Sequence, residues 1–299
     1  MPPLTSGPRR TWPVLAAGLF SLSWASTFIL LCDAPAAVIA FYRVVGATLV
    51  LLPLLVGTWK RRPSFAIHWP AVVAGILVAI HWAAWIQSVQ LTTVASAVFL
   101  VATQPIFAVL LGYLFLGERM GSLSLIGVLL SFAGVWLIAG GDGGESHWIG
   151  NLLALGSALV GAAYLLIGRR SRKEIEFLPY LFTVYTVAAF CLGILVLFLR
   201  LPFYPYSLRT FFWIGMLAVI CSLIGHGSLN WSVRRMRAYL VNLAVLTEPV
   251  LATFYAFWLF GQGPSPWIYP GSALVMAGLA AAVLDERRGL KKPVPGNLP

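Results

Sequence analysis

The stretch Leu100–Glu118, LVATQPIFAVLLGYLFLGE, decides how this chain is read. It is almost wholly apolar, yet it carries a polar pair, Thr103 and Gln104, and then Pro105. A counterpart stands 144 positions later at Ala244–Gln262, reading AVLTEPVLATFYAFWLFGQ. Thr103 aligns with Thr247, Gln104 with Glu248, Pro105 with Pro249 and Gly117 with Gly261. The same ungapped shift pairs Gly127 with Gly271 and Gly134 with Gly278. Over 96–140 the positions identical to their counterparts are Val101, Thr103, Pro105, Ala108, Gly117, Gly127, Leu130, Ala133 and Gly134. Aligned Pro and Gly weigh most, because each fixes a backbone property rather than mere apolarity. The chain reads as one unit written twice.

Composition sets the environment of that unit. The 299 residues are 60% hydrophobic and 10% charged, with a mean hydropathy of +0.89. A soluble domain carries roughly 25% charged residues, so too little polar surface exists here to coat a water-soluble body. Long apolar runs between short charged clusters point to an all-α polytopic membrane protein. The net charge of +11 reads as membrane topology and not as a nucleic-acid surface. Cys32, Cys191 and Cys221 are scattered in apolar runs without metal-ligand spacing, so they read as small hydrophobes. No Walker loop, metal cluster or nucleophile–base set is present, which argues against an enzyme and calls for no cofactor. The run behind Arg9 and Arg10 lacks a small-residue cleavage site and reads as a first span instead of a signal peptide.

Ten spans of roughly 20 residues are expected. They are 12–32, 36–57, 70–90, 94–116, 122–140, 148–169, 178–199, 209–231, 238–260 and 265–284, numbered spans 1 to 10. Short connections make consecutive spans antiparallel. The basic residues then fall mostly on one side: Arg9, Arg10, Lys60, Arg61, Arg62, Arg119, Arg169, Arg170, Arg172, Lys173, Arg234, Arg235, Arg237, Arg287, Arg288, Lys291 and Lys292. Only Arg200 and Arg209 lie opposite. By the positive-inside rule both termini are expected in the cytoplasm, the chain sitting in the inner membrane. Five spans per unit is odd, so the second unit enters upside down. Inverted repeats of this kind are a transporter architecture with a site near the midplane. The expected division is a tail at 1–11, a first repeat at 12–140, a Gly-rich link at 141–147, a second repeat at 148–284 and a basic tail at 285–299.

Two five-helix units, each with Pro in the fourth helix and a terminal Gly-Glu or Gly-Gln, resemble the EamA-type proteins of the drug/metabolite transporter superfamily. The FLGE at 115–118 is the most specific piece, and the second copy departs from it as LFGQ at 259–262. The resemblance spans about 12–284. It implies ten helices, cytoplasmic termini and export or exchange of small metabolites, with the YddG-like exporters of aromatic amino acids as the nearest analogy. It also implies an Arg in the second helix, which Arg43 matches.

Ionisable groups deep in a span are costly and are functional candidates by default. Arg43 lies about eight residues into span 2, or roughly 12 Å at 1.5 Å per residue. Its guanidinium is either a clamp for a substrate carboxylate or a structural cation on helix-end carbonyls. His81 is followed by Trp85 and Ser88 at i+4 and i+7, one helix face. That face could bind a substrate ring or amine; its bland alternative is a buried His donating to a neighbouring carbonyl. Trp82 points about 100° away, toward lipid or core alike. Glu248 precedes Pro249 mid-span and either shuttles a proton or pairs with Arg43 or Asn242; its mate Gln104 is neutral. Span 8 offers Ser222, His226 and Asn230 at i, i+4 and i+8, with His226 expected near the cytoplasmic end. Trp24, Phe28 and Tyr164 are candidate cavity aromatics, Pro105 and Pro249 candidate hinges. Gly18, Gly46, Gly112, Gly127, Gly134, Gly156, Gly271 and Gly278 read as close helix contacts.

The expectation is a secondary transporter that exports or exchanges small amphipathic metabolites, amino acids first and aromatic ones among them, by alternating access. The expected partners are a small-molecule substrate and the lipid bilayer, with a homodimer through the glycine-rich helices left open. An organic-cation or drug efflux protein, and a non-transporting membrane assembly component, are the alternatives.

Overall fold

The computed structural model describes residues 8–59, 68–116, 121–141, 145–171, 176–233, 241, 244–245 and 247–289. Among them every regular element is helical. In chain order these are α1 (Pro8–Ser23), α2 (Ala25–Leu30), α3 (Ala36–Trp59), α4 (Trp69–Leu91), α5 (Val94–Val101), α6 (Gln104–Leu116) and α7 (Ser122–Gly141). There follow α8 (Glu145–Ser171), α9 (Phe177–Phe198), α10 (Leu208–Met216), a π-helical segment (Leu217–Gly225), α11 (His226–Val233), α12 (Thr247–Phe260) and α13 (Ile268–Gly289). Eight helical stretches are long and apolar enough to cross a membrane, and Ser122–Ile138 is a shorter apolar helix. The chain is thus a multi-pass membrane protein. Span 9 is represented by the 14-residue α12. Glu118, Asn242, residues 142–144 and most of the basic clusters lie outside the described residues.

Local chemistry accounts for several boundaries. Thr93 caps α5, its hydroxyl accepting from the Ser96 N–H at 3.1 Å, and Ser207 caps α10 from Thr210 in the same way at 3.1 Å. Pro70 occupies the first turn of α4, where its missing N–H is no loss. Two expected continuous spans are broken. Span 1 divides at Trp24, and span 4 divides at Ala102–Thr103. The second break corrects the expectation of one continuous helix around Pro105. A proline ring cannot donate to the carbonyl four residues back and collides with it, so α5 stops at Val101, four residues before Pro105. Pro105 then sits in the first turn of α6, and Pro249 likewise in the first turn of α12. Thr103 Oγ1 donates to the Leu100 carbonyl at 2.6 Å, and Thr247 Oγ1 to the Ala244 carbonyl at 2.7 Å. The aligned threonines make the same i−3 bond.

Packing follows small residues. In lipid no hydrophobic force drives helix against helix, so close approach and van der Waals contact must hold the bundle. α7 and α13 meet backbone to backbone. A Cβ on Gly127 would stand 2.5 Å from the Gly278 carbonyl oxygen, and one on Gly134 would stand 2.5 Å from that of Gly271. Rising numbers on one helix thus meet falling numbers on the other, so the pair is antiparallel. Asp285, near the end of α13, accepts from the Ser124 hydroxyl at 2.7 Å and its N–H at 3.3 Å, capping α7. The helix α4 sits deeper, packed by α8, α9, α3, α2 and α5. One core joins α2, α3, α4, α9 and the π segment through Ile29, Ile39, Ile86, Val184 and Leu217; a second joins α5, α7, α12 and α13 through Leu100, Ile138, Ala252 and Val275. Phe198, Trp136, Phe115 and Trp258 are exposed, as suits surfaces that face acyl chains.

Gly127→Ala and Gly271→Ala should each lower unfolding stability in detergent by about 1–3 kcal/mol, through overpacking against backbone. Gly156 corrects the expectation of a close helix contact there: an added Cβ meets nothing within 4 Å, so Gly156→Ala should not lower stability. Equal stability of all three would remove the close-contact account of α7 and α13.

Candidate functional site

Arg43, on α3, is the largest fully buried side chain among the described residues, at 1% exposure. Its guanidinium carbon lies 4.5 Å from the Trp82 ring centroid and 5.6 Å from that of Trp85. Indole faces carry negative quadrupole potential, so both rings offset part of the cation's lost hydration. Nε donates to Ser222 Oγ at 2.8 Å, while Nη1 is buried without a hydrogen-bond partner. Glu248 on α12 lies within electrostatic reach of the guanidinium, as do His81, His226 and Tyr185. Arg43 and Trp85 are thus in contact, with His81 and Glu248 within electrostatic reach of the same guanidinium.

His81 has found a specific neighbour. Its Nδ1 lies 2.8 Å from both the carbonyl oxygen and the hydroxyl of Ser157 on α8, and that hydroxyl donates back to the His81 carbonyl at 3.1 Å. A carbonyl can only accept, so these partners assign the proton to Nδ1 and leave the neutral ring's lone pair on Nε2. Gly161, one turn along α8, admits the approach. A Cβ there would stand 2.8 Å from Gln104 Oε1 and 2.9 Å from His81 Nδ1. Gln104 is thereby brought to His81 at the start of α6.

The aromatic candidates fall in a separate ladder. Trp24 stacks on Tyr255 at 4.3 Å and on Phe28 at 5.8 Å, and Phe28 stacks on Trp213 at 5.4 Å, with interplanar angles of 20°, 24° and 23°. Trp24 sits at the break between α1 and α2, so the ladder ties span 1 to α10 and α12. Tyr164 is packed against the main core and within electrostatic reach of Tyr185. Ser88 is fully buried one turn past Trp85, its hydroxyl without a partner. The side chain of Asn230 lies outside the described residues.

Several members of the centre stand elsewhere than the sequence places them, or carry no mark in it. Trp82, read as facing lipid or core alike, is 5% exposed and is the ring nearest Arg43; the outward face of α4 near it is held by Ile76 and Ile80 instead. His226, expected near the cytoplasmic end, lies 6.5 Å from the Trp82 ring. The π segment places it there: its wider turn breaks the i, i+4 register assumed for Ser222 and His226. Tyr185, Ser157 and Tyr255 sit in ordinary apolar patterns that do not mark them. Trp213, near the start of span 8, reads from sequence as an interfacial belt residue; instead it packs against the core and stacks on Phe28, its Nε1 buried. The aromatic content of spans 7 to 9 was the one available signal.

A family model described as the EamA-like transporter family matches the chain twice, over residues 11–140 and 148–284. The chain belongs to the EamA-like transporter family. Among relatives, a protein named uncharacterized transporter YvbV from Bacillus subtilis is 31% identical over 154 residues, 49% of this chain; the match spans only 50% of that relative's length. A riboflavin transporter from Rhizobium johnstonii is 27% identical over 94% of this chain and 93% of its own. A probable terminal-alkyne amino-acid exporter from Streptantibioticus cattleyicolor is 27% identical over 65% of each. One solved crystal structure superposes with a TM-score of 0.67 at 18% identity, covering 94% of this chain and 100% of that one, a likeness of fold.

If the indole faces carry part of the cost of burying Arg43, Trp82→Leu should lower stability by about 0.5–2 kcal/mol and Trp85→Leu by less, following their distances. Denaturant unfolding in detergent measures both. The reverse order would mean that ring packing, not the cation, decides.

Proposed function

We propose that this protein is a secondary transporter that exports or exchanges small amphipathic metabolites, amino acids first and aromatic ones among them, by alternating access. The observation that carries the reading is the Arg43 guanidinium, fully buried, with Nη1 unpartnered among aromatic rings. A buried donor without an acceptor is costly, and a carboxylate is the acceptor whose fork matches a guanidinium. The indole faces of Trp82 and Trp85 and the nearby imidazoles supply surface for a side chain or ring. His81, Trp85, Ser88, Gln104 and Glu248 are the residues proposed around it, with Trp24, Phe28, Tyr164 and Asn230 beyond, and Pro105 and Pro249 at the moving halves.

The architecture proposed is ten spans in two inverted five-helix repeats, 12–140 and 148–284, joined through 141–147. The glycine contacts support it. Gly127 aligns with Gly271 and Gly134 with Gly278, while Gly127 meets Gly278 and Gly134 meets Gly271. Exchanging the two repeats maps each contact onto the other, as a two-fold axis across antiparallel helices requires. The asymmetry of basic residues supports an inner-membrane location with both termini in the cytoplasm. The name of the amino-acid exporter relative favours amino acids, and that of the riboflavin transporter supplies the competing substrate. Organic cations fit less well, since Arg43 stands within reach of Glu248 and repels them.

The test is flux of labelled amino acids into proteoliposomes, with labelled riboflavin as a parallel arm, each with and without a pH gradient. Saturable amino-acid flux that falls at least about tenfold in Arg43→Gln and in His81→Ala, with gel-filtration behaviour retained, is expected from loss of a charge-assisted contact. A response to the gradient would add proton coupling. Flux of riboflavin alone would overturn the amino-acid reading.

A further inference from the structure

The bond between Arg43 and Ser222 has a fixed direction. A serine hydroxyl carries one proton and two lone pairs. Here the proton goes to the Leu217 carbonyl at 3.1 Å, and the Arg43 Nε–H, which can only donate, reaches the same oxygen at 2.8 Å. Both side chains are buried, Arg43 at 1% and Ser222 at 2% exposure. In this structure both bonds are therefore made out of contact with water.

The backbone sets up the arrangement. Leu217 stands five residues before Ser222, and Leu217–Gly225 is the π-helical segment. In an α-helix a serine hydroxyl turns back to the carbonyl four residues earlier, here that of Ala218. The π turn gives Ser222 a different anchor and so a different aim. With Nε held, the guanidinium plane is fixed over Trp82 and Trp85, and its Nη1 remains buried without a partner. Trp85 Nε1 is a second buried donor without a partner, on the ring whose centroid lies 5.6 Å from the guanidinium carbon. Two unmatched donors and a cation at one place select an acceptor-only anionic group.

We infer that Ser222, aimed by the π turn, is a positioning residue that holds Arg43 Nε so that the guanidinium's Nη edge is presented to the carboxylate of the transported molecule. This rests on the reading of Arg43 given under the proposed function. Ser222 itself touches Arg43 and the Leu217 carbonyl; its effect on the ligand passes through the guanidinium. Without it the guanidinium rotates about its Cδ–Nε bond and the edge is no longer fixed.

The experiment compares wild type, Ser222→Ala and Ser222→Thr. In proteoliposomes, labelled L-phenylalanine is the transported probe, and unlabelled L-phenylalanine and 2-phenylethylamine are competitors that differ by the carboxylate. In detergent, the Arg43 Nε–H resonance, assigned by its disappearance in Arg43→Lys, reports the bond directly. Ser222→Ala should raise KM about tenfold or more, the range for a hydrogen bond to a charged group. Vmax should stay within about twofold, which separates lost binding from lost turnover. The preference for L-phenylalanine over 2-phenylethylamine should shrink, the Nε–H signal should move, and Ser222→Thr should restore all three. An unmoved Nε–H signal in Ser222→Ala overturns the inference, as does an equal loss for both competitors through Vmax. If the wild type carries no L-phenylalanine, the functional reading fails separately, and the Nε–H comparison still decides whether Ser222 holds the guanidinium.

Discussion

The centre of this structure depends on keeping one guanidinium charged inside an apolar bundle. Moving an ion out of water costs several kcal/mol even after relaxation, and in a membrane the cost has to be met by neighbours. Arg43 meets it with two indole faces, a serine oxygen and a carboxylate within electrostatic reach. Those groups come from α4, the π segment and α12, so one side chain constrains three further elements. Two of these, the π segment and α12, belong to the second half of the sequence. A charge in the first half is therefore met by groups from both halves.

Such convergence requires helices to approach closely around the centre. Glycine supplies the approach at two kinds of place. In α7 and α13 it lets backbone meet backbone, where contact alone holds helices together in lipid. At Gly161 it makes room for two polar side chains, His81 and Gln104. The first use is scaffold and the second is site, although both are single glycines in apolar helices and look alike in the sequence.

Breaks in regular structure accompany the site as well. The carbonyl ladder is interrupted at Trp24, at Ala102–Thr103 and through the π turn. Irregular backbone at membrane depth survives only where protein encloses it. Threonine hydroxyls cover part of the need, since Thr103 and Thr247 both bond the carbonyl three residues back. The proline next to each is the cause that could be read in advance; the π turn has no comparable marker, because its residues, LAVICSLIG, are unremarkable apolar ones.

By itself the sequence determined the membrane class, most of the span positions, the duplicated unit and the glycine pairs that bring α7 and α13 together, though not that Gly156 is open and Gly161 is filled. These rest on hydrophobic length and on the backbone properties of Gly and Pro, which act locally. It also picked out Arg43, His81 and Glu248, because a polar group in an apolar run is conspicuous without any structure. The tertiary structure alone decided which way each helix faces. Trp82 and Trp85 are both indoles on α4, and Tyr185, Tyr255 and Trp213 lie among other aromatics. Rotation of a helix about its axis is set by its neighbours' packing and, in span 8, by a π turn that shifts every later side chain. Depth in the membrane is written along one chain; direction is settled only between chains of helices that meet.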